Sequence, residues 1–196
     1  MSTEEDLRAM AEVMNDFPRP WWVSGGWAIH LFNPNQPREH EDLEIGIFRQ
    51  HQAELREQLA GWALEKVAQT PDGPGWLDWD ADEVLELPTH QARAINPLPI
   101  APESFEIFLN EGTGEYWQSR RHPGLSRPLE QTVLRSIDGI PFLAPEVQLL
   151  FKAKYHRPKD EHDFAAVFEL MNDEQRKWLY TVLKQFHPTD PWLNVL

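Results

Sequence analysis

Apolar residues recur along the chain with two periods, and the points where the period changes mark its elements. Leu7, Met10, Ala11 and Met14 stand at i, i+3, i+4 and i+7. That spacing predicts a helix over 4–16, with Thr3 as N-cap and Pro18 and Pro20 beyond its end. Trp21-Trp22-Val23 predicts a short strand, Gly25-Gly26 a break, and 27–32 a second helix before a turn over 33–37. Over 43–48 the period drops to two: Leu43, Ile45 and Ile47 share one face, and Asp42 and Glu44 share the other. A helix over 50–59, a strand near 63–67 and a Pro- and Gly-containing loop over 70–82 follow, then short strands over 83–87, 91–95 and 104–110. From Pro145 the helical period returns, with Val147, Leu150, Phe151 and Lys154 on one face. Further helices are predicted over 160–171, with the stripe Phe164, Val167, Phe168 and Met171, and over 173–186. The pattern describes a mixed α/β N-terminal half and a helical C-terminal third, without internal repeats.

Composition narrows the classes. A length of 196 residues suits one domain, or a core domain with a helical appendage. The absence of cysteine excludes disulfides, thiolate chemistry and cysteine zinc sites, and fits a reducing compartment. The acidic start Met-Ser-Thr-Glu-Glu-Asp lacks the basic region of a signal peptide, and no run approaches the roughly 18 apolar residues of a membrane span. A cytoplasmic protein without a membrane segment is expected. The net charge of -14 opposes binding to nucleic acid; it favours a neutral or cationic partner, or simply aids solubility. Nine tryptophans and seventeen prolines predict large aromatic anchors joined by stiff connections.

Several residues carry candidate chemistry. Gly25-Gly26 after a strand either makes a tight turn or lets a phosphate approach the start of the next helix. Asp42 and Glu44 project from one strand face, where two like charges call for a cation such as magnesium unless the face is simply solvated. Lys154, on an apolar stripe, needs a partner such as a nucleotide phosphate, or else snorkels to solvent. Asp160 would pair with Lys154 or an arginine, or cap a helix; the structural role is favoured. Arg38, Arg120 and Arg121 are either phosphate or acceptor contacts or ordinary surface arginines, and His40 alternates with Asp42 and Glu44. Trp76, Trp79 and Trp117 are candidates for an aromatic wall against an acceptor ring, whereas Trp62 reads as core.

Gly25-Gly26-Trp27-Ala28-Ile29, followed by Arg38-Glu39-His40-Glu41-Asp42-Leu43-Glu44-Ile45, resembles the signature of the DNA polymerase beta-like nucleotidyltransferase superfamily. Within that superfamily it is most similar to the small aminoglycoside nucleotidyltransferase-like proteins. The resemblance continues through Phe105-Glu106-Ile107-Phe108-Leu109-Asn110-Glu111 and from Leu143-Ala144-Pro145-Glu146 through Lys152-Ala153-Lys154 to Lys159-Asp160. It implies an α+β nucleotidyltransferase fold: a mixed β-sheet flanked by helices as a core over 1–143, with a C-terminal helical segment over 144–196 packed on it. By resemblance, Gly25 and Gly26 line the nucleotide phosphates, with Arg38 and Lys154 as further nucleotide contacts. Asp42, Glu44 and Glu106 are the catalytic and Mg2+-binding carboxylates, and Glu106 either binds metal or takes the proton from the attacking hydroxyl. The chain departs from the family in carrying Glu44 and Glu106 where aspartate is common, and His30 where close relatives carry aspartate. The expected activity is transfer of a nucleoside monophosphate, AMP from ATP or from another nucleoside triphosphate, onto a hydroxyl of a small molecule. An aminoglycoside-like polycation would suit the acidic balance. The alternatives are a macromolecular acceptor of the toxin–antitoxin type, tRNA or protein, and a non-catalytic nucleotide-binding module. The lack of a basic stripe argues against RNA.

Overall fold

Thr3 begins the first helix because its hydroxyl accepts from the Asp6 N–H at 3.2 Å while the Asp6 carboxylate accepts from the Thr3 N–H at 2.8 Å. The computed structural model describes residues 1–36, 38–122 and 124–196; Pro37, in the predicted 33–37 turn, lies outside the described residues. In chain order the elements are α1 (Glu4–Val13), β1 (Trp21–Ser24), α2 (Gly25–Phe32), β2 (Glu44–Phe48) and α3 (Gln52–Gln58), the last preceded by a 3-10 turn over Arg49–His51. There follow β3 (Ala63–Thr70), β4 (Gly73–Asp78), β5 (Gln91–Ile95), β6 (Ser104–Gly112), β7 (Tyr116–Gln118) and β8 (Ser126–Pro128). The chain ends with α4 (Leu129–Thr132), β9 (Val133–Arg135), β10 (Pro141–Leu143), α5 (Pro145–Lys152), α6 (Pro158–Phe168), α7 (Asp173–Phe186) and a 3-10 turn over Pro191–Asn194.

Contacts divide the chain into two units. One comprises Met1–Val23 with Glu39–Leu129, the other Ser24–Arg38 with Glu130–Leu196. This differs from the 1–143 and 144–196 division expected from sequence, because 24–38 groups with the C-terminal helices rather than with its chain neighbours.

In the first unit the strands run in the order β4-β3-β5-β6-β2-β1, with β7 and β8 branching from β6. β2 and β6 are parallel, while β3, β4, β5 and β6 join antiparallel, so the sheet is mixed as expected. On β5 and β6 one face carries Ala92, Ala94, Phe105, Ile107 and Leu109, all buried. The opposite face carries half-buried Gln91, Arg93, Glu106 and Asn110. Strand alternation thus separates an apolar core from a polar working face.

Two strand predictions need correction here. The 70–82 loop contains β4, which folds back on β3 with Thr70 opposite Gly73. Pro71 and Asp72 make the connection, and Gly73 has φ +110, a value closed to most side chains. The proline and glycine read as a loop are the turn of a hairpin. The segment 83–87 forms no strand; its Leu85 N–H is taken by the Gln52 side chain at 2.7 Å.

In the second unit α2 packs against α5 and α6, and α5 packs against α7. α2 buries Trp27, Ala28 and Ile29, and α7 buries Leu179, Val182 and Leu183. The strands β9 and β10 form an antiparallel pair, with Phe142 opposite Leu134. The C-terminal 3-10 turn is anchored by Trp192, stacked on Phe164 at 4.5 Å. No helix among the described residues is long and apolar enough to cross a membrane.

Candidate active site

The parallel pairing of β2 with β6 sets Glu44 directly opposite Glu106. The Glu106 N–H donates to the Leu43 carbonyl at 2.8 Å, which fixes this register at the mouth of the pair. Residues in register point to the same face, so the two carboxylates project together. Asp42 precedes β2 and is exposed. Its charge is felt at Glu106, whose pKa is raised above the ordinary glutamate value, first by burial and then by Asp42. The Gln91 amide, donating to Glu106 Oε2 at 2.8 Å, and the Arg93 charge work the other way. The three predicted carboxylates from two separate stretches therefore share one region of the first unit.

The same face extends as a row across five strands. In register, Glu44 faces Glu106, Glu106 faces Arg93, Arg93 faces Glu65, and Glu65 faces Asp78. Arg93 is ion-paired with Glu65 and lies over the Trp76 ring at 4.4 Å. Trp76 is thus the one member of the predicted aromatic wall found on this face. Trp79 and Trp117 are 3% and 0% exposed, so both belong to the core instead; the Trp79 indole donates to the Glu83 carbonyl at 3.0 Å and the Trp117 indole to Asn110 Oδ1 at 3.1 Å. Trp62, read as core, packs on Phe105 at 5.5 Å. Gln91 and Arg93 were not singled out from sequence. Their signal was alternation, Gln91 and Arg93 against Ala92 and Ala94, two polar side chains on the strand face opposite two small ones.

The donors suit magnesium by type, since all three are hard oxygen ligands and mutual repulsion favours a cation among them. Among the described residues no group of three or more histidine or acidic side chains is gathered closely enough to hold a metal by itself. Magnesium keeps several waters and accepts substrate phosphates as ligands, so a partial set of protein donors is compatible with it.

The remaining predicted contacts lie in the second unit. Gly25 and Gly26 are the first residues of α2 rather than a break before it. Gly25 has φ +68, which a side chain would resist, and its N–H donates to the buried Gln148 Oε1 at 2.8 Å. Arg38 makes a two-pronged pair with Asp163, Nε to Oδ1 at 2.7 Å and Nη2 to Oδ2 at 2.8 Å. Lys154 is exposed, with its Nζ 4.8 Å from the Tyr155 ring centre. The inward orientation expected for it fails because α5 ends at Lys152, so the helical period does not reach Lys154. Lys152 is the inward cation: its Nζ lies 2.7 Å from Asp163 Oδ2 and 3.3 Å from Asp160 Oδ1. Asp160 also pairs with Arg157 at 2.8 Å, which bears out its structural reading. His30 packs edge-on against Trp27 at 5.1 Å, and in the first unit His40 is 4% exposed with its backbone bridged to Ser2.

Residues 6–91 match the model of the aminoglycoside-2''-adenylyltransferase family. A lincosamide resistance protein of Staphylococcus haemolyticus is 21% identical over 173 residues, spanning 82% of this chain and 90% of the relative. The lincomycin-bound structure of the lincosamide antibiotic adenylyltransferase LnuA superposes with a TM-score of 0.58 at 19% identity, covering 86% of this chain and 98% of LnuA. ANT(2'')-Ia in complex with adenylyl-2''-tobramycin gives a TM-score of 0.52 at 15% identity, covering 93% and 95% of the two chains. The two structural likenesses establish a common fold, and the family match makes residues 6–91 similar to the aminoglycoside-2''-adenylyltransferases.

Proposed function

We propose that the protein is a nucleotidyltransferase that moves AMP from ATP onto a hydroxyl of a small molecule of the antibiotic type. The observation that carries this reading is the pairing of Glu44 with Glu106 across β2 and β6, with Asp42 near enough to raise the Glu106 pKa. Among the similar proteins are a lincosamide antibiotic adenylyltransferase bound to lincomycin and ANT(2'')-Ia bound to adenylyl-2''-tobramycin. A cationic acceptor suits a chain of net charge -14.

In the reaction the acceptor oxygen forms a bond to the α-phosphorus, the bond to the pyrophosphate oxygen breaks, and the hydroxyl proton must leave. Glu106 is assigned either that proton or a place beside the metal, and Gln91 holds its Oε2 in place. Asp42 and Glu44, with Glu106, would hold Mg2+, which would supply neutralisation of phosphate charge. Gly25 and Gly26 are assigned to the nucleotide phosphates, with Arg38 and Lys154 as supporting charges. Arg38 acts there only as far as its bond to Asp163 allows. We place the enzyme in the cytoplasm.

Incubating the purified protein with magnesium, ATP and panels of lincosamides and aminoglycosides tests this reading. Pyrophosphate release is expected with at least one acceptor, together with an adduct heavier by one AMP. Asp42→Asn is expected to lower turnover by a factor on the order of 100 or more. Unchanged turnover in that variant would overturn the mechanism.

A further inference from the structure

The end of β2 remote from Glu44 collects positive charge in a strongly acidic chain. Arg49 follows β2 directly, beside Glu111, which comes one residue after Asn110, the last β6 partner of β2. Arg49 Nε donates to Glu111 Oε1 at 2.7 Å, and its Nη1 donates to the Leu85 and Thr89 carbonyls at 3.0 and 2.7 Å. Its Nη2 is buried and has no hydrogen-bond partner among the described residues, in a residue only 8% exposed. Glu111 is in register with Gln118 of β7, and Arg120 and Arg121 follow two and three residues later. The His90 carbonyl accepts from the Leu109 N–H at 2.9 Å, which brings His90 to the same end of β6.

Among the described residues the half-buried Arg120 guanidinium has no hydrogen bond or ion pair. Its pKa is lowered to about 10, by burial first and then by Arg121 and Arg49, against the pull of Glu111. Burial also lowers the His90 pKa, with Arg120, Arg121 and Arg49 adding to it and the Pro88 carbonyl opposing. Among the described residues Glu111 is the one carboxylate that acts on Arg120, and Arg49 already occupies it. Arg49 and Arg120 thus share the carboxylate of Glu111, and their mutual repulsion is relieved when an anion joins them.

We propose that Arg49, Arg120, Arg121 and His90 frame a binding site for a phosphate-type oxyanion. The buried Nη2 of Arg49 and the unpaired fork of Arg120 are the donors such an anion would accept from. Arg49 stands five positions beyond Glu44, about 16 Å at the rise of a strand. The site is therefore distinct from the carboxylate face, and its failure leaves the nucleotidyl-transfer reading untouched.

Calorimetry on the full chain in EDTA, titrated with inorganic phosphate and separately with pyrophosphate, tests the proposal. Saturable binding of at least one of them is expected, weakened tenfold or more in Arg120→Gln and unchanged in Asp42→Asn. The stronger of the two titrations tells a single phosphate group from a diphosphate. Melting in phosphate-free buffer separates binding from misfolding. Arg120→Gln is expected to melt no lower than the parent, because it removes a repelled cation, and to lose the parent's rise in Tm on adding the anion. Absence of saturable binding, equal affinity in Arg120→Gln, loss of binding in Asp42→Asn, or a lower Tm of Arg120→Gln without anion would each overturn the proposal.

Discussion

Gly46 carries no side chain because Trp22 occupies the space one would need. A Cβ on Gly46 would lie 2.3 Å from Trp22 Nε1 and 2.5 Å from its Cε2, and Trp22 is 1% exposed and packed edge-on against Phe48. The indole has no room to yield. Gly46→Ala is expected to cost about 1–3 kcal/mol through overpacking, read as a lower midpoint in urea unfolding. The residue lies between Glu44 and Phe48 on β2, so the same variant is expected to lose activity as well as stability. In the sequence, strand alternation together with the family resemblance pointed to Asp42 and Glu44, and the resemblance alone pointed to Glu106. It misplaced Lys154 because one helical turn was extended too far, and it overlooked Lys152 two residues earlier, since a buried lysine is recognisable only once its partners are known. Asp163 and Asp160, eleven and eight positions away, are those partners.

At the level of elements, α5, α6 and Arg38, six positions beyond α2, are tied by charge. Asp163 on α6 is almost fully buried and receives both Arg38 and Lys152. Burial alone would raise its pKa; the hydrogen bonds and charges of these two cations overcome that and hold it below the ordinary aspartate value. A depressed value means that the carboxylate contributes stability above the unfolded pKa of about 3.9 and loses it as pH falls through the lower folded value. Asp163→Asn leaves two inward cations short of a counter-charge and is expected to destabilise by about 3–5 kcal/mol, measured by denaturant unfolding near neutral pH. A change under 1 kcal/mol would mean that Asp160 alone suffices for Lys152. The helices themselves were legible, most clearly α7, whose Asp173–Phe186 bounds match the predicted 173–186. The β4 hairpin was not, since the residues that make a tight turn are the same ones that fill loops, and only strand partnership tells them apart.

For the whole molecule, the fold class was readable while the grouping of segments was not. Residues 24–38 join the C-terminal helices through α2, a long-range association that no local pattern encodes. The second unit also carries a pH-sensitive tie. His156 adopts φ +45 and is set between Glu161, 2.6 Å from its Nδ1, and Asp190, 2.9 Å from its Nε2. Burial disfavours its charge, but the two carboxylates outweigh that and raise its pKa above the usual value. A raised value gives stability that is complete below the unfolded pKa of about 6.5 and fades as pH climbs through the folded one. Melting curves of the parent and His156→Gln from pH 5.5 to 8.5 are expected to converge as pH rises; a constant gap would rule out a protonated tie. The hairpin has one more consequence. β4 stands last in the strand order of its unit, where an open ladder invites strands from other chains. Gly73-Pro74-Gly75 opens that border with a residue that has no N–H to offer, and Asp78 closes it with an exposed charge. The sequence that looked like a loop thus guards the chain against polymerising through its own sheet.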